Sequence, residues 1–262
     1  MPSRRLRAQY EFHDESGEDR ILTLAPRGGP TTAIRILYLH GGAYVFDLDV
    51  LHWKPISMFV SGTGSRVVVP IYPLAPEFTW EAGMACAERC HDRLVEEVGA
   101  QNVVIAGDSA GGGLALALTQ RIRDRGGAAP AALVLFSPWL DVSVCGTDQP
   151  ALAELDPMLD IEELRVAGRM WAGGTSIENP AVSPLFGDQS HLPPTMVFCG
   201  THDLLVSDAR RLAAAGGRAE LREYSGMFHV WMATPIPEGT AALREAVAFI
   251  NAQTANLLRP AP

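Results

Sequence analysis

Short apolar runs alternate with segments of helical spacing along most of this chain. Near-continuous apolar runs cover residues 34–39, 67–71, 103–106, 133–136 and 195–199, without polar alternation. Strands of that kind are buried on both faces, as in a parallel sheet covered by helices. Helical spacing occupies residues 80–98, 112–125, 238–252 and a stretch around 208–215. Two short strands, 8–12 and 21–24, are predicted at the N-terminal end around a polar turn at 14–19. A further strand is predicted at 219–224. The pattern predicts an α/β fold with a mostly parallel central sheet and helices on both faces.

Residues 141–194 break the rhythm. They hold a helical stretch at 161–171 among Pro- and Gly-rich loops, and no clear strand. An excursion of this length in a doubly wound sheet is expected over the carboxyl ends of the strands, where ligands bind. We read it as a small lid within one domain spanning 1–262.

Composition narrows the picture by exclusion. The 262 residues, 47% of them hydrophobic, suffice for one large core. A net charge of −9 without a Lys/Arg cluster argues against a nucleic-acid or anionic-membrane partner. The basic opening, 1–7, runs into a polar stretch at 9–20, and no apolar run is long enough to span a bilayer. No signal peptide and no integral membrane association are expected, and a cytoplasmic location follows. Cys86, Cys90, Cys145 and Cys199 show neither CxxC nor metal-ligand spacing. Free, mostly buried thiols and no metal site are the expectation.

The chemistry centres on Gly107-Asp108-Ser109-Ala110-Gly111, between the strand at 103–106 and a helical run. A strand–turn–helix with glycines two residues either side of a serine lifts its hydroxyl out of the fold. Serine alone is a weak nucleophile and needs a base and an oxyanion site. The chain order Ser, acid, His disfavours His13, His40, His52 and His91 as base. His229, in Gly226-Met227-Phe228-His229 after the last predicted strand, is the candidate; His191 and His202 are less well placed. Asp203 follows the strand at 195–199 and is the candidate acid, whereas Asp208 reads as a helix N-cap or turn residue. Asp108 is expected to brace the elbow.

The oxyanion donors are expected from Gly41, Gly42 and Ala43 after the strand at 34–39, together with the N–H of Ala110. Each such donor is worth about 3–4 kcal/mol in the transition state. His40 is expected to orient that loop by hydrogen bonding. Tyr44, Trp139, Leu140, Phe228 and Trp231 are candidate pocket residues, with core packing as the alternative; Phe46, Met227 and Met232 stand alongside. Gly111-Gly112-Gly113 lacks a following Lys-Ser/Thr and is not a phosphate loop.

Together these residues resemble the hormone-sensitive-lipase-like branch of the α/β-hydrolase superfamily. The likeness rests on His40 to Ala43, on Tyr72 to Glu77 with Pro73 where the family has arginine, and on Gly107 to Gly112. Ser137 to Asp141, Asp156-Pro157, Val182 to Leu185, Leu192 to Pro194, Gly200 to Asp208 and Gly226 to His229 continue it. The resemblance implies a serine carboxylesterase acting on short- to medium-chain acyl esters without cofactor, and it makes a homodimer plausible. It also implies that Gly42, Ala43 and Ala110 donate to the oxyanion; Ala43 replaces a family glycine and restricts the loop. An amidase or formamidase using the same machinery, and a non-catalytic small-molecule binder on the same fold, are the alternatives.

Overall fold

In the computed structural model, residues 1–255 are described; the last seven residues of the expected 1–262 unit lie outside them. The strands are β1 (Tyr10–Ser16), β2 (Arg20–Pro26), β3 (Arg35–Leu39), β4 (Arg66–Ile71), β5 (Val103–Asp108), β6 (Ala132–Phe136), β7 (Thr195–Gly200) and β8 (Ala219–Tyr224). They form one sheet in the order β1-β2-β4-β3-β5-β6-β7-β8. The pairs β1–β2 and β2–β4 are antiparallel, and every other pair is parallel.

The helices are α1 (Arg4–Gln9), α2 (Trp53–Thr63), α3 (Trp80–Val98), α4 (Ser109–Asp124), α5 (Gln149–Ala153), α6 (Ile161–Ala172), α7 (Val206–Ala214) and α8 (Pro237–Thr254). Successive strand residues point to opposite faces, so each buried strand feeds two cores. On β5, Val103 and Ile105 join a cluster with α3, α4, α6 and α7, while Val104 and Ala106 join one with α2 and α8. Burial on both faces is why β5 and β6 carry no polar residue from Val103 to Ala106 and from Ala132 to Phe136.

Three local differences from the sequence reading have plain causes. Residues 8 and 9 belong to α1, whose N-terminus is capped by the Ser3 side chain, so β1 begins only at Tyr10. Helix α2 buries Trp53, Ile56, Phe59, Val60 and Thr63 at helical spacing, although Pro55 and Gly62 interrupt the sequence there. Asp208 is not an N-cap. It lies in the first turn of α7, buried beside Asp141 at the start of the segment 141–194, and Arg211 reaches both carboxylates at 3.3 and 3.4 Å. Burial and the neighbouring Asp141 push its pKa up to about 7.

The segment 141–194 contains α5 and α6 and no strand. Asp160 caps α6 by accepting from Glu162 and Glu163 N–H at 2.8 and 3.0 Å. That helix shares a groove with the loop following β3, which places it at the carboxyl end of the sheet.

Candidate active site

Strand β5 and helix α4 meet with no intervening loop, and Ser109 is the joint. Its φ is +51°, a left-handed conformation that costs a non-glycine residue roughly 1–2 kcal/mol. The close approach explains the flanking glycines. A Cβ on Gly107 would lie 2.8 Å from the Leu39 carbonyl, and one on Gly111 would strike the Leu39 and His40 carbonyls.

The Ser109 hydroxyl lies 2.9 Å from His229 Nε2. His229 Nδ1 lies 3.2 and 3.3 Å from the two oxygens of Asp203, and both side chains are buried. The loop carrying His229 is tied down on either side. Val230 N–H donates to Ser137 Oγ at 3.0 Å, and His202 N–H donates to the Met227 carbonyl at 2.9 Å. Gly200 ends β7 against that same carbonyl, where a Cβ has no room. Asp203 is fixed by the Leu205 N–H at 2.9 Å and the Cys199 thiol at 3.4 Å.

Burial alone would depress the His229 pKa, but the Asp203 carboxylate beside it reverses the sign and holds it above the ordinary imidazole value. Burial likewise opposes the charge on Asp203, and His229 outweighs it, keeping that carboxyl below its usual range. A serine, imidazole and carboxylate so connected can pass a proton from Oγ to Nε2 while the carboxylate stabilises the imidazolium.

The loop after β3 reaches the same place. A Cβ on Gly41 would collide with the Asp108 carboxylate and stand 3.1 Å from Ser109 Cβ. Gly42, Ala43 and Tyr44 all have positive φ, and the Gly42 carbonyl accepts from Val45 and Phe46 at 3.0 and 2.8 Å. The turn is braced by Tyr72 Oη donating to the His40 carbonyl at 2.6 Å and by Ala75 N–H donating to the Tyr44 carbonyl at 2.8 Å. His40 stacks on Tyr72 and places Nδ1 2.7 Å from the Gly41 carbonyl. Among the described residues, no hydrogen bond occupies the N–H of Gly41, Gly42 or Ala43. Ala110 stands in the first turn of α4, where N–H groups have no intrahelical partner.

The pocket expectation needs correction. Tyr44, Trp139, Leu140 and Trp231 are core residues with at most 1% of their surface exposed, and Phe228 packs partly buried against the second core. Tyr44 stacks between Trp139 and Trp171, with ring centroids 5.6 and 4.1 Å away. Large aromatics gain most by complete burial, and here that outweighs proximity to the serine. The cavity of about 130 Å³ that opens at Ser109 and His229 is instead lined by Gly42, Asp49, Leu51, His52, Met158 and Val230, among others.

Sequence reasoning missed the roles of two neighbours, His52 and Asp156. His52 Nε2 lies 3.4 Å from Asp108, which also accepts from Tyr38 Oη at 2.7 Å, so the Asp108 carboxylate is held from the N-cap of α2 and from β3 at the edge of the catalytic cavity. Burial opposes charge on His52, yet Asp108 and Asp49 hold its pKa up at about 10. Asp156 accepts from the Leu204 N–H at 2.8 Å, next to Asp203, and Met158 N–H donates to its other oxygen at 2.9 Å. Burial pushes the Asp156 carboxyl up. Its Asp-Pro dipeptide was the available signal, within a segment where nothing marked it as an anchor.

Two sets of side chains among the described residues bring three ligand-type atoms within 4.8 Å of one another: Asp156, Asp203 and His229, and Asp19, Cys86 and Cys90. In the first, His229 is already engaged on both ring nitrogens. In the second, Arg89 clasps Asp19 at 2.6 and 2.8 Å. The thiols of Cys86, Cys90 and Cys199 are free and buried, and Cys145 is exposed. No helix among the described residues is long and apolar enough to cross a membrane.

Comparison with known proteins gives a consistent result. Residues 36–233 match the family described as alpha/beta hydrolase fold. An acetyl-hydrolase of Streptomyces hygroscopicus is 34% identical over 231 residues, 86% of this chain and 77% of that protein. An esterase of Acinetobacter venetianus is 31% identical over 226 residues, covering 82% of this chain and 73% of its own length. The crystal structure of a hormone-sensitive lipase from a metagenome library superposes with a TM-score of 0.88 at 28% identity, over 94% of this chain and 85% of that one.

Proposed function

Because the chain belongs to the alpha/beta-hydrolase family, in its hormone-sensitive-lipase-like branch, we propose that it is a carboxylic ester hydrolase working through Ser109, His229 and Asp203. The observation that carries this is the 2.9 Å contact between Ser109 Oγ and His229 Nε2, on a serine held at the strained joint of β5 and α4.

In this reading, Ser109 attacks the ester carbonyl as His229 takes its proton. The resulting oxyanion rests on the N–H groups of Gly42, Ala43 and Ala110, preorganised by the braced turn after β3. His229 returns the proton to the leaving alcohol. It then activates water to cleave the acyl-enzyme. Asp203 holds the imidazole with Nε2 facing the serine and stabilises its charge.

Substrates are short- to medium-chain acyl esters. A series of p-nitrophenyl esters from acetate upward tests this: kcat/KM is expected to peak among short and medium chains and to fall for long ones. The matching p-nitroanilides are expected to react far more slowly; a preference for them would favour the amidase alternative.

The base must be neutral to act, and its pKa is raised. Activity is therefore full at alkaline pH and lost as pH falls through a midpoint above the ordinary imidazole value of 6.5. A pH profile of kcat/KM with its acid limb centred below that value contradicts the Asp203–His229 pairing.

A further inference from the structure

A groove of about 920 Å³ lies between the loop after β3 and helix α6, and it adjoins the catalytic cavity at Met158, which lines both. Several of the large apolar side chains lining it are exposed. Phe46 is 70% exposed and Met158 52%, with Val166 and Met170 on the same face of α6 also exposed. Ala43, whose N–H is assigned to the oxyanion, lines the same groove. Ala43 and Met158 thus place this surface beside the assigned oxyanion donors and the catalytic cavity.

The charged groups lining the groove are Glu77, Asp160, Glu162 and Glu163, all of one sign. Two are compensated: Asp160 caps α6, and Arg165 pairs with Glu162 at 2.6 Å. Glu77 and Glu163 are exposed and form no ion pair among the described residues.

We propose that this groove holds an apolar arm of the substrate, and that the unpaired carboxylates of Glu77 and Glu163 at its edge select uncharged esters against anionic ones. This rests on the ester-hydrolase reading above. An anionic arm would lose hydration against Phe46 and Met158 and also meet carboxylates that no cation pairs. The first effect is insensitive to salt. The second is screened by it, because these carboxylates face water.

The test compares p-nitrophenyl hexanoate with the p-nitrophenyl half-ester of adipic acid, whose acyl chains are equally long and differ by a terminal carboxylate. At low ionic strength the wild-type protein is expected to prefer hexanoate in kcat/KM. The ratio should shrink roughly tenfold in about 1 M salt, as expected for two partly screened charges. A Glu77→Gln/Glu163→Gln variant should show a similarly reduced ratio at low salt and little further salt dependence. Equal turnover of both esters overturns the proposal, as does a preference that neither salt nor the variant alters. A protein that hydrolyses neither ester contradicts the hydrolase reading itself, a result distinguishable from the other two.

Discussion

Replacing Asp203 with asparagine is expected to lower kcat by about 10⁴-fold with the fold retained. The amide would keep an acceptor for the Leu205 N–H, which Asp203 Oδ1 now binds at 2.9 Å. It would remove the negative charge in contact with His229 Nδ1. Two consequences follow. An amide N–H facing Nδ1 favours the tautomer that protonates Nε2, which can no longer accept from Ser109. Burial, no longer opposed by Asp203, then dominates the imidazole, so the residual activity should have its acid limb displaced to lower pH than in the wild type. Steady-state kinetics across pH with p-nitrophenyl butyrate checks both. Unchanged kcat in Asp203→Asn would remove Asp203 from the mechanism.

Ser109→Ala has the larger effect, a loss of about 10⁵–10⁶-fold in kcat, because attack then falls to water without covalent catalysis. The substitution leaves the positive φ in place, since alanine carries the same Cβ. It removes one hydrogen bond, to His229. The thermal midpoint should therefore move by no more than about 2–4 °C, and the activity loss cannot be ascribed to unfolding. The residual rate reports what the oxyanion donors achieve without a nucleophile.

The sequence was most readable where one physical requirement dominated. Strands such as β5 and β6 are buried on both faces, so Val103 to Ala106 and Leu133 to Phe136 carry no polar residue, and their limits were readable within one or two positions. Helix α3 was legible over its full length because its buried positions, from Gly83 to Leu94, recur at helical spacing. The elbow was legible because Gly107 and Gly111 have a steric task that no other residue performs.

Other features depend on what the chain meets in space. Helix α2 was hidden because Pro55 and Gly62 are poor helix residues locally, although Gly62 is needed against Val247 of α8. The aromatic residues near the serine could not be sorted into core and pocket from order alone. Tyr44 and Trp139 are inward because Trp171, from helix α6, completes their stack. Phe46, close along the chain to Tyr44, and Met158, next to the Asp156-Pro157 pair, instead face solvent. His52 was set aside by the chain-order rule, which disfavours it as the base. The rule says nothing about its pairing with Asp108, a contact that only the packing of α2 beside β5 creates.

The proposed chemistry requires that the hydroxyl at position 109 be an activated nucleophile. Treating the wild-type protein with a fluorophosphonate and mapping the adduct by peptide mass spectrometry tests it most directly. The expected result is one label per chain, on Ser109, with activity lost in proportion and no label on the Ser109→Ala variant. A folded wild-type protein that remains unlabelled, or one labelled at another residue while activity disappears, would contradict the account.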